Sequence, residues 1–239
     1  MMNSVSLLIF AKPPVPGMVK TRLQPQVSEE NSARLQDACI RDAIRKALGI
    51  SGVDAYLGYP AGTHVPYFEE ASDVTGIKLF SQQGETLGKK LQHAFSHGFS
   101  LGYRKMVVIG VDSPTLPPDY IREGIVLLDH YDAVFGPSVD GGYYLVGMKA
   151  PHPLFPDDEL GTENVLAEAL ERGEGLGLKI AALPPWYDLD RFQDLCFAAT
   201  HIRLLKMSGS YFPPLTEKVL VDLLGIYPRG GDGGSDAVP

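Results

Sequence analysis

Residues 10–23 read FAKPPVPGMVKTRL, and the reading of this stretch decides the fold. It follows a short apolar run, Val5 to Phe10, and it holds Lys12, Lys20 and Arg22 with no acidic residue until Glu29. Over the whole chain 29 acids outnumber 21 bases, so the stretch is a small cationic island in an acidic molecule. A proline- and glycine-rich loop that leaves the carboxyl end of a buried strand and carries cations suits the phosphates of a ligand. Open α/β sheets bind ligands at strand carboxyl ends, where low-dielectric walls concentrate charge. The competing reading is an ordinary solvated turn. Acidic motifs further along complement the loop and weigh against that alternative.

Outward from this loop, short apolar runs alternate with helical stretches, which indicates an α/β protein with a largely parallel sheet. The strand candidates are Val5–Phe10, Val53–Gly58, Ile77–Phe80, Met106–Val111, Ala133–Phe135, Tyr143–Met148 and Leu178–Leu183. Several are almost wholly apolar, as strands covered on both faces should be. Tyr143–Met148 follows Ala133–Phe135 too closely for a helical crossover, so it is expected to run antiparallel. Leu35, Ile40, Ile44 and Leu48 recur at helical spacing between Glu29 and Leu48, with Gly49 as the stop. Leu87, Leu91, Ala94, Phe95 and Phe99 form a second stripe after Thr86. Thr162 is an expected N-cap for a helix burying Val165, Leu166, Ala169 and Leu170, and Leu215–Leu224 is a last short helix.

The 239 residues suit one domain over 1–228, and 229–239, which lack core-forming residues, are expected to be a disordered tail. A net charge of −8 argues against nucleic acid as a partner. No apolar run approaches the roughly 20 residues of a membrane span, and no leader segment is evident, so a cytoplasmic location is the expectation. Cys39 and Cys196 lie far apart and suggest neither a disulfide framework nor a zinc site.

Three further motifs carry candidate chemistry. In VVIGVDSPTLPP, residues 107–118, Asp112 stands where an apolar strand stops. Mg²⁺ or Mn²⁺ takes one or two carboxylates together with phosphate oxygens and water, so Asp112 is a candidate metal ligand; its alternative is to cap the next helix. In GPSVDGGYYLVG, residues 136–147, Asp140-Gly141-Gly142 is either a plain hairpin turn or a polar-ligand site. As a site, the glycines would let a ligand lie against the backbone while Asp140 accepts hydrogen bonds from its hydroxyls. In PWYDLDRFQDL, residues 185–195, Asp188 and Asp190 project to one side if extended. Either could complete a metal site with Asp112, and Asp190 could instead cap a helix. His93 and His97 have the i, i+4 spacing of a metal pair, but the helical stripe places them on a solvated face.

Taken in order, FAKPPVPGMVKTRL, QQGETLGKKL, GVDSP, GPSVDGGYYLVG, GTENVL and PWYDLD resemble one group over about residues 4–205. It is the bacterial glycosyltransferase-like proteins related to the 2-phospho-lactate guanylyltransferases, in the nucleotide-diphospho-sugar transferase superfamily. The resemblance implies the glycosyltransferase A fold, a three-layer α/β/α arrangement with a mixed, mostly parallel central sheet. It also implies a nucleotide site at Ala11, Lys12, Lys20, Arg22 and Asp112, with Gln83 and Gly84 near the base. Asp140, Gly141 and Gly142 would then meet the acceptor.

Two departures stand out. Sugar transferases of this fold usually carry Asp-x-Asp at the metal strand, where this chain has Asp112-Ser113-Pro114. The second carboxylate must come from elsewhere, an arrangement closer to the nucleotidyltransferases. Against those enzymes, the glycine-rich N-terminal loop is replaced here by a proline-rich one. The expected activity is metal-dependent transfer from a nucleoside diphosphate sugar to a small-molecule acceptor, with Lys20, Arg22, Asp112 and Asp140 catalytic. The alternatives are nucleotidyl transfer from a nucleoside triphosphate to a small phosphorylated substrate, and a non-catalytic nucleotide-sugar binding module. Sequence leaves oligomeric state open.

Overall fold

A computed structural model describes residues 3–62, 65–155 and 164–225. The expected Thr162 cap and the proposed tail lie outside the described residues. Seven strands form one sheet in the order β3-β2-β1-β4-β6-β5-β7. These are β1 (Val5–Phe10), β2 (Asp54–Pro60), β3 (Lys78–Gln82), β4 (Lys105–Ile109), β5 (Ala133–Pro137), β6 (Tyr143–Met148) and β7 (Ile180–Ala182). The helices are α1 (Glu29–Leu48), α2 (Val65–Thr75), α3 (Leu87–Ser100), α4 (Pro118–Leu127), α5 (Val165–Gly175), α6 (Phe192–Met207) and α7 (Pro214–Leu224).

β1 pairs in parallel with both β2 and β4, while β6 pairs antiparallel with β4 and β5. The short β5–β6 connection forces this reversal, as expected. The sheet is therefore mixed and mostly parallel. Alternation along the strands divides the core in two. Leu7 and Ile9 of β1, with Val107 and Ile109 of β4, meet residues of α1, α2, α4, α6 and α7. Leu8, Met106 and Val108 point the other way, against Leu91, Ala94 and Phe95 of α3 and Ala169 of α5. Period-two side chains on a sheet covered from both sides explain the near-continuous apolar strands.

The helix ends carry the signals that start them. Ser28 accepts from the backbone N–H of Asn31 at α1, and Thr86 accepts from that of Lys89 at α3. α7 is capped from another helix: buried Asp42 of α1 accepts from the N–H groups of Leu215 and Thr216 at 3.3 and 2.7 Å and from the Thr216 hydroxyl at 2.8 Å. Two alternatives fall away and one expectation needs correction. Asp190 does not cap α6; Arg191 holds that position, and Asp194 reaches back to the N–H groups of Asp190 and Arg191. Asp112 does not cap α4, which begins behind Pro117 without a side-chain cap. His93 is half-buried beside Phe80, with ring centroids 5.7 Å apart, because α3 packs that flank on β3; only His97 faces solvent.

The topology fixes the site. β1 connects to β2 on one side, while β4 lies on its other side, a switch in strand order of the kind that opens a crevice at strand carboxyl ends. The carboxyl ends of β1, β4 and β5 and the start of antiparallel β6 lie together at this end. In β5, Gly136 lies under Tyr144 of β6: a Cβ added there would come within 2.3 Å of the ring carbon Cζ. The ring is anchored because the Tyr144 hydroxyl donates to the Pro184 carbonyl at 2.9 Å. Gly136→Ala is expected to lower unfolding free energy by about 2 kcal/mol through overpacking. A urea denaturation midpoint unchanged from wild type would show that the sheet relaxes freely at this position.

Candidate functional site

The basic loop folds back onto the acidic turns. Lys20 has φ 48° and ψ 39°, the left-handed region, and is the sole non-glycine residue with positive φ among those described. Such a conformation costs free energy for a residue with a Cβ, and it persists where surroundings over-determine it. Here the surroundings are chemical. Lys20 Nζ lies 2.6 Å from Asp112 Oδ1 and donates to the Leu189 carbonyl at 3.1 Å. Its side chain is 2% exposed, whereas that of Asp112 is 48% exposed. Burial opposes the charge on Lys20, but the adjacent Asp112 outweighs it and holds the ammonium above its ordinary pKa. The lysine thus faces inward to its carboxylate, and the other side of Asp112 is open to solvent.

Next to this pair, exposed Arg22 meets half-buried Asp190, Nη1 to Oδ2 at 2.8 Å. The Ser113 hydroxyl donates to Asp188. The Leu189 N–H donates to the Asp112 carbonyl at 2.8 Å, so the 188–190 segment is stitched to the Asp112 turn by backbone as well. Burial pushes the Asp188 carboxyl up to about 6, opposed by the Ser113 hydrogen bond and reinforced by the charge of Asp112. Asp190 is also raised, by burial and then by Asp112, with Lys20 and Arg22 pulling against both. Asp140 adds to the negative field on Asp188 and Asp190.

Four carboxylates from three segments therefore share one end of the sheet with two ion-paired cations. The donors are hard oxygens, and their mutual repulsion is the field a divalent cation relieves, so the chemistry fits Mg²⁺ or Mn²⁺. Among the described residues no three His, Cys, Asp or Glu side chains form a ready cage. The fit is to a site of one or two carboxylates, with the remaining positions left to ligand oxygens and water.

The other expected residues fall around this centre. Ala11 is buried and its N–H donates to the Gly58 carbonyl at 3.0 Å. Lys12 is exposed, and its carbonyl accepts from Gln36 of α1 at 3.3 Å. Gly141 adopts φ 91° in the β5–β6 turn, where Asp140 accepts from the Gly142 N–H at 3.1 Å. Gln83 and Gly84 form the β3–α3 turn, with no hydrogen bond or ion pair to the carboxylates. Gly84 has φ 124°, and a Cβ there would come within 2.9 Å of the Lys90 backbone nitrogen, so this turn admits only glycine. The inward residue of that segment is Gln82, buried and donating to the Gly58 carbonyl at 2.7 Å; sequence reading passed over it. Trp186 was likewise unassigned: its indole N–H donates to Thr115 at 3.1 Å and fastens the Asp112 turn from a further side.

Residues 43–162 match the model of a family described as "Uncharacterized protein conserved in bacteria (DUF2064)". The chain is similar over 94% of its length to a crystal structure from Desulfovibrio desulfuricans G20, described as a "putative nucleotide-diphospho-sugar transferase". The match covers 96% of that protein, with 29% identity and a TM-score of 0.81. A cytidylyltransferase from Leptospira borgpetersenii serovar Hardjo-bovis shares the fold at 12% identity and a TM-score of 0.56, covering 95% of this chain and 94% of that one. A 4-diphosphocytidyl-2C-methyl-D-erythritol synthase from Anaerococcus prevotii DSM 20548 does so at 8% and 0.56, covering 84% and 97%. No curated protein matches the chain. The three-layer fold is thus that of nucleotide-diphospho-sugar transferases and their relatives.

Two outcomes follow from the electrostatics. Asp112→Asn leaves the buried Lys20 ammonium without its counter-charge and is expected to cost about 2 kcal/mol, below the ~3–5 kcal/mol of a fully buried pair because Asp112 is half-exposed. A denaturation midpoint equal to wild type would show that the pair contributes nothing. Asp188 titrates near 3.8 when unfolded and near 6 when folded. Its charged form therefore costs stability above pH 6, and the cost fades as pH falls toward 4. Asp188→Asn should gain stability over wild type above that window and lose the gain through it. A difference independent of pH in urea titrations would refute the shift.

Proposed function

The chain belongs to this bacterial DUF2064 family, and we propose that it is a metal-dependent transferase moving a sugar from a nucleoside diphosphate sugar to a small acceptor. The observation that carries this reading is the meeting of Lys20 and Arg22 with Asp112 and Asp190 at the carboxyl ends of the central strands. The 29% identical structure described as a "putative nucleotide-diphospho-sugar transferase" supports it.

Departure of a nucleoside diphosphate builds negative charge on its β-phosphate, and groups aimed at that charge lower the barrier. Exposed Lys12 and half-exposed Arg22 are the cations within reach of a ligand arriving from solvent. Lys20 acts from behind, fixing the half-exposed Asp112 carboxylate through Oδ1. Mg²⁺ or Mn²⁺, held by Asp112 with Asp190 or Asp188, supplies Lewis-acid stabilisation of the phosphate charge when bound. Asp140 orients the acceptor hydroxyl or takes its proton, and Gly141 and Gly142 let the acceptor approach the backbone. Gln83 and Gly84 lie toward the nucleotide's base, and Ala11 backs the nucleotide site.

One observation favours a second reading, nucleotidyl transfer from a nucleoside triphosphate. The strand end reads Asp112-Ser113-Pro114 rather than Asp-x-Asp, and the carboxylates that feel the charge of Asp112, Asp188 and Asp190, lie in the segment after β7. The two reactions leave different products. With Mn²⁺ and a panel of donors, sugar transfer releases nucleoside diphosphate, whereas nucleotidyl transfer releases pyrophosphate from triphosphates. Asp112→Asn, folded by circular dichroism, should lose on the order of 100-fold in turnover, the effect of removing one preorganised charge-stabilising group. Full metal-dependent turnover in that variant would overturn the assignment under either chemistry.

A further inference from the structure

α1 carries a polar inner side that its apolar stripe does not explain: Ser32, Gln36, Asp42 and Lys46 are all buried. Asp42 is accounted for as the cap of α7, and Gln36 holds the Lys12 carbonyl. Lys46 is 5% exposed and reaches the other site loop, where its Nζ donates to the Pro114 carbonyl at 3.1 Å. We propose that Lys46 is a positioning residue for the Asp112 turn, acting through the backbone of Pro114 and touching no substrate itself.

Cost and geometry together carry the argument. An ammonium in a protein interior is expensive, and a methionine would fill similar space without that penalty. The compensation on α1 is Asp42 one turn earlier; from the segment before α7 comes the Tyr211 ring, 5.1 Å below Nζ. These do not restore the full cost, since burial still draws the Lys46 pKa down to about 7 against the pull of Asp42. What the donor serves is a buried carbonyl in the turn 112–116, a group that needs a partner.

Four residues of that turn are held from three segments. Asp112 is fixed by Lys20 and Leu189, Ser113 by Asp188, Pro114 by Lys46 and Thr115 by Trp186. Among these, Lys46 is the brace from the helix beneath. The others come from the basic loop and the segment after β7. A carboxylate displaced by even an ångström loses much of its value to a ligand.

The chain's single tryptophan, bonded to Thr115, reports on the turn without any ligand. Lys46→Met removes the donor and keeps the bulk; Lys46→Arg restores a donor. In the full-length protein, Lys46→Met should raise acrylamide quenching of Trp186. It should also weaken apparent binding of Mn²⁺ with a nucleoside diphosphate sugar or triphosphate by about tenfold. Lys46→Arg should recover both, which a residue that merely fills space would not. If Lys46→Met does not fold, Lys46→Leu, which also lacks a donor, takes its place in the same measurements.

Wild-type quenching in a folded donor-free variant overturns the proposal. So does altered quenching with unchanged binding in a protein whose wild type binds nucleotide. The inference rests on the proposed function only for its binding arm. Absence of nucleotide binding by wild type refutes that function, while the quenching comparison still decides whether Lys46 holds the turn.

Discussion

The architecture of the site depends on one contact, the buried ammonium of Lys20 against the half-exposed carboxylate of Asp112. An ion taken out of water must find its counter-charge or give up its charge. Lys20 finds its partner from a left-handed backbone position, so the loop after β1 is closed over the turn after β4 and cannot drift. The Leu189 carbonyl adds a third segment to the same ammonium. The Arg22–Asp190 pair repeats the pattern nearer solvent, where screening makes it worth less as glue and leaves it more available to a ligand.

Around this pair the carboxylates are more numerous than stability alone would favour. Asp188 and Asp190 both hold protons more readily than ordinary carboxyls, because burial and Asp112 raise them. Clusters of this kind are where a fold gives up internal consistency for chemistry. The fold by itself does not name that chemistry, since related sheets host sugar and nucleotidyl transfer alike. The chain departs from Asp-x-Asp already in sequence, at Asp112-Ser113-Pro114, and the carboxylates that feel the charge of Asp112 come from the segment after β7.

α1 is the physical link between site and scaffold. Through Gln36 it holds the Lys12 carbonyl, through Lys46 the Pro114 carbonyl, and through Asp42 the start of α7. A helix packed on a sheet is a stiffer support than the loops it braces. The two proline-rich loops have few backbone donors of their own, so the helix supplies side-chain donors in their place.

The amino-acid sequence by itself determined the strands, the span of α1, the antiparallel run of β6 and the clustering of the four motifs at strand ends. These follow from local periodicity, from the stop at Gly49, and from a β5–β6 connection too short to cross over. It missed α2, whose buried contribution is mainly Phe68 and Ala71, although Pro66 in its first turn was a usable signal. Which carboxylate meets which cation, the inward turn of Lys20, and the roles of Gln82, Lys46 and Trp186 were decided only by tertiary structure. A polar side chain looks alike in sequence whether it faces water or a buried carbonyl. The difference is made by partners dozens of residues away, which only the packed chain brings within hydrogen-bond distance.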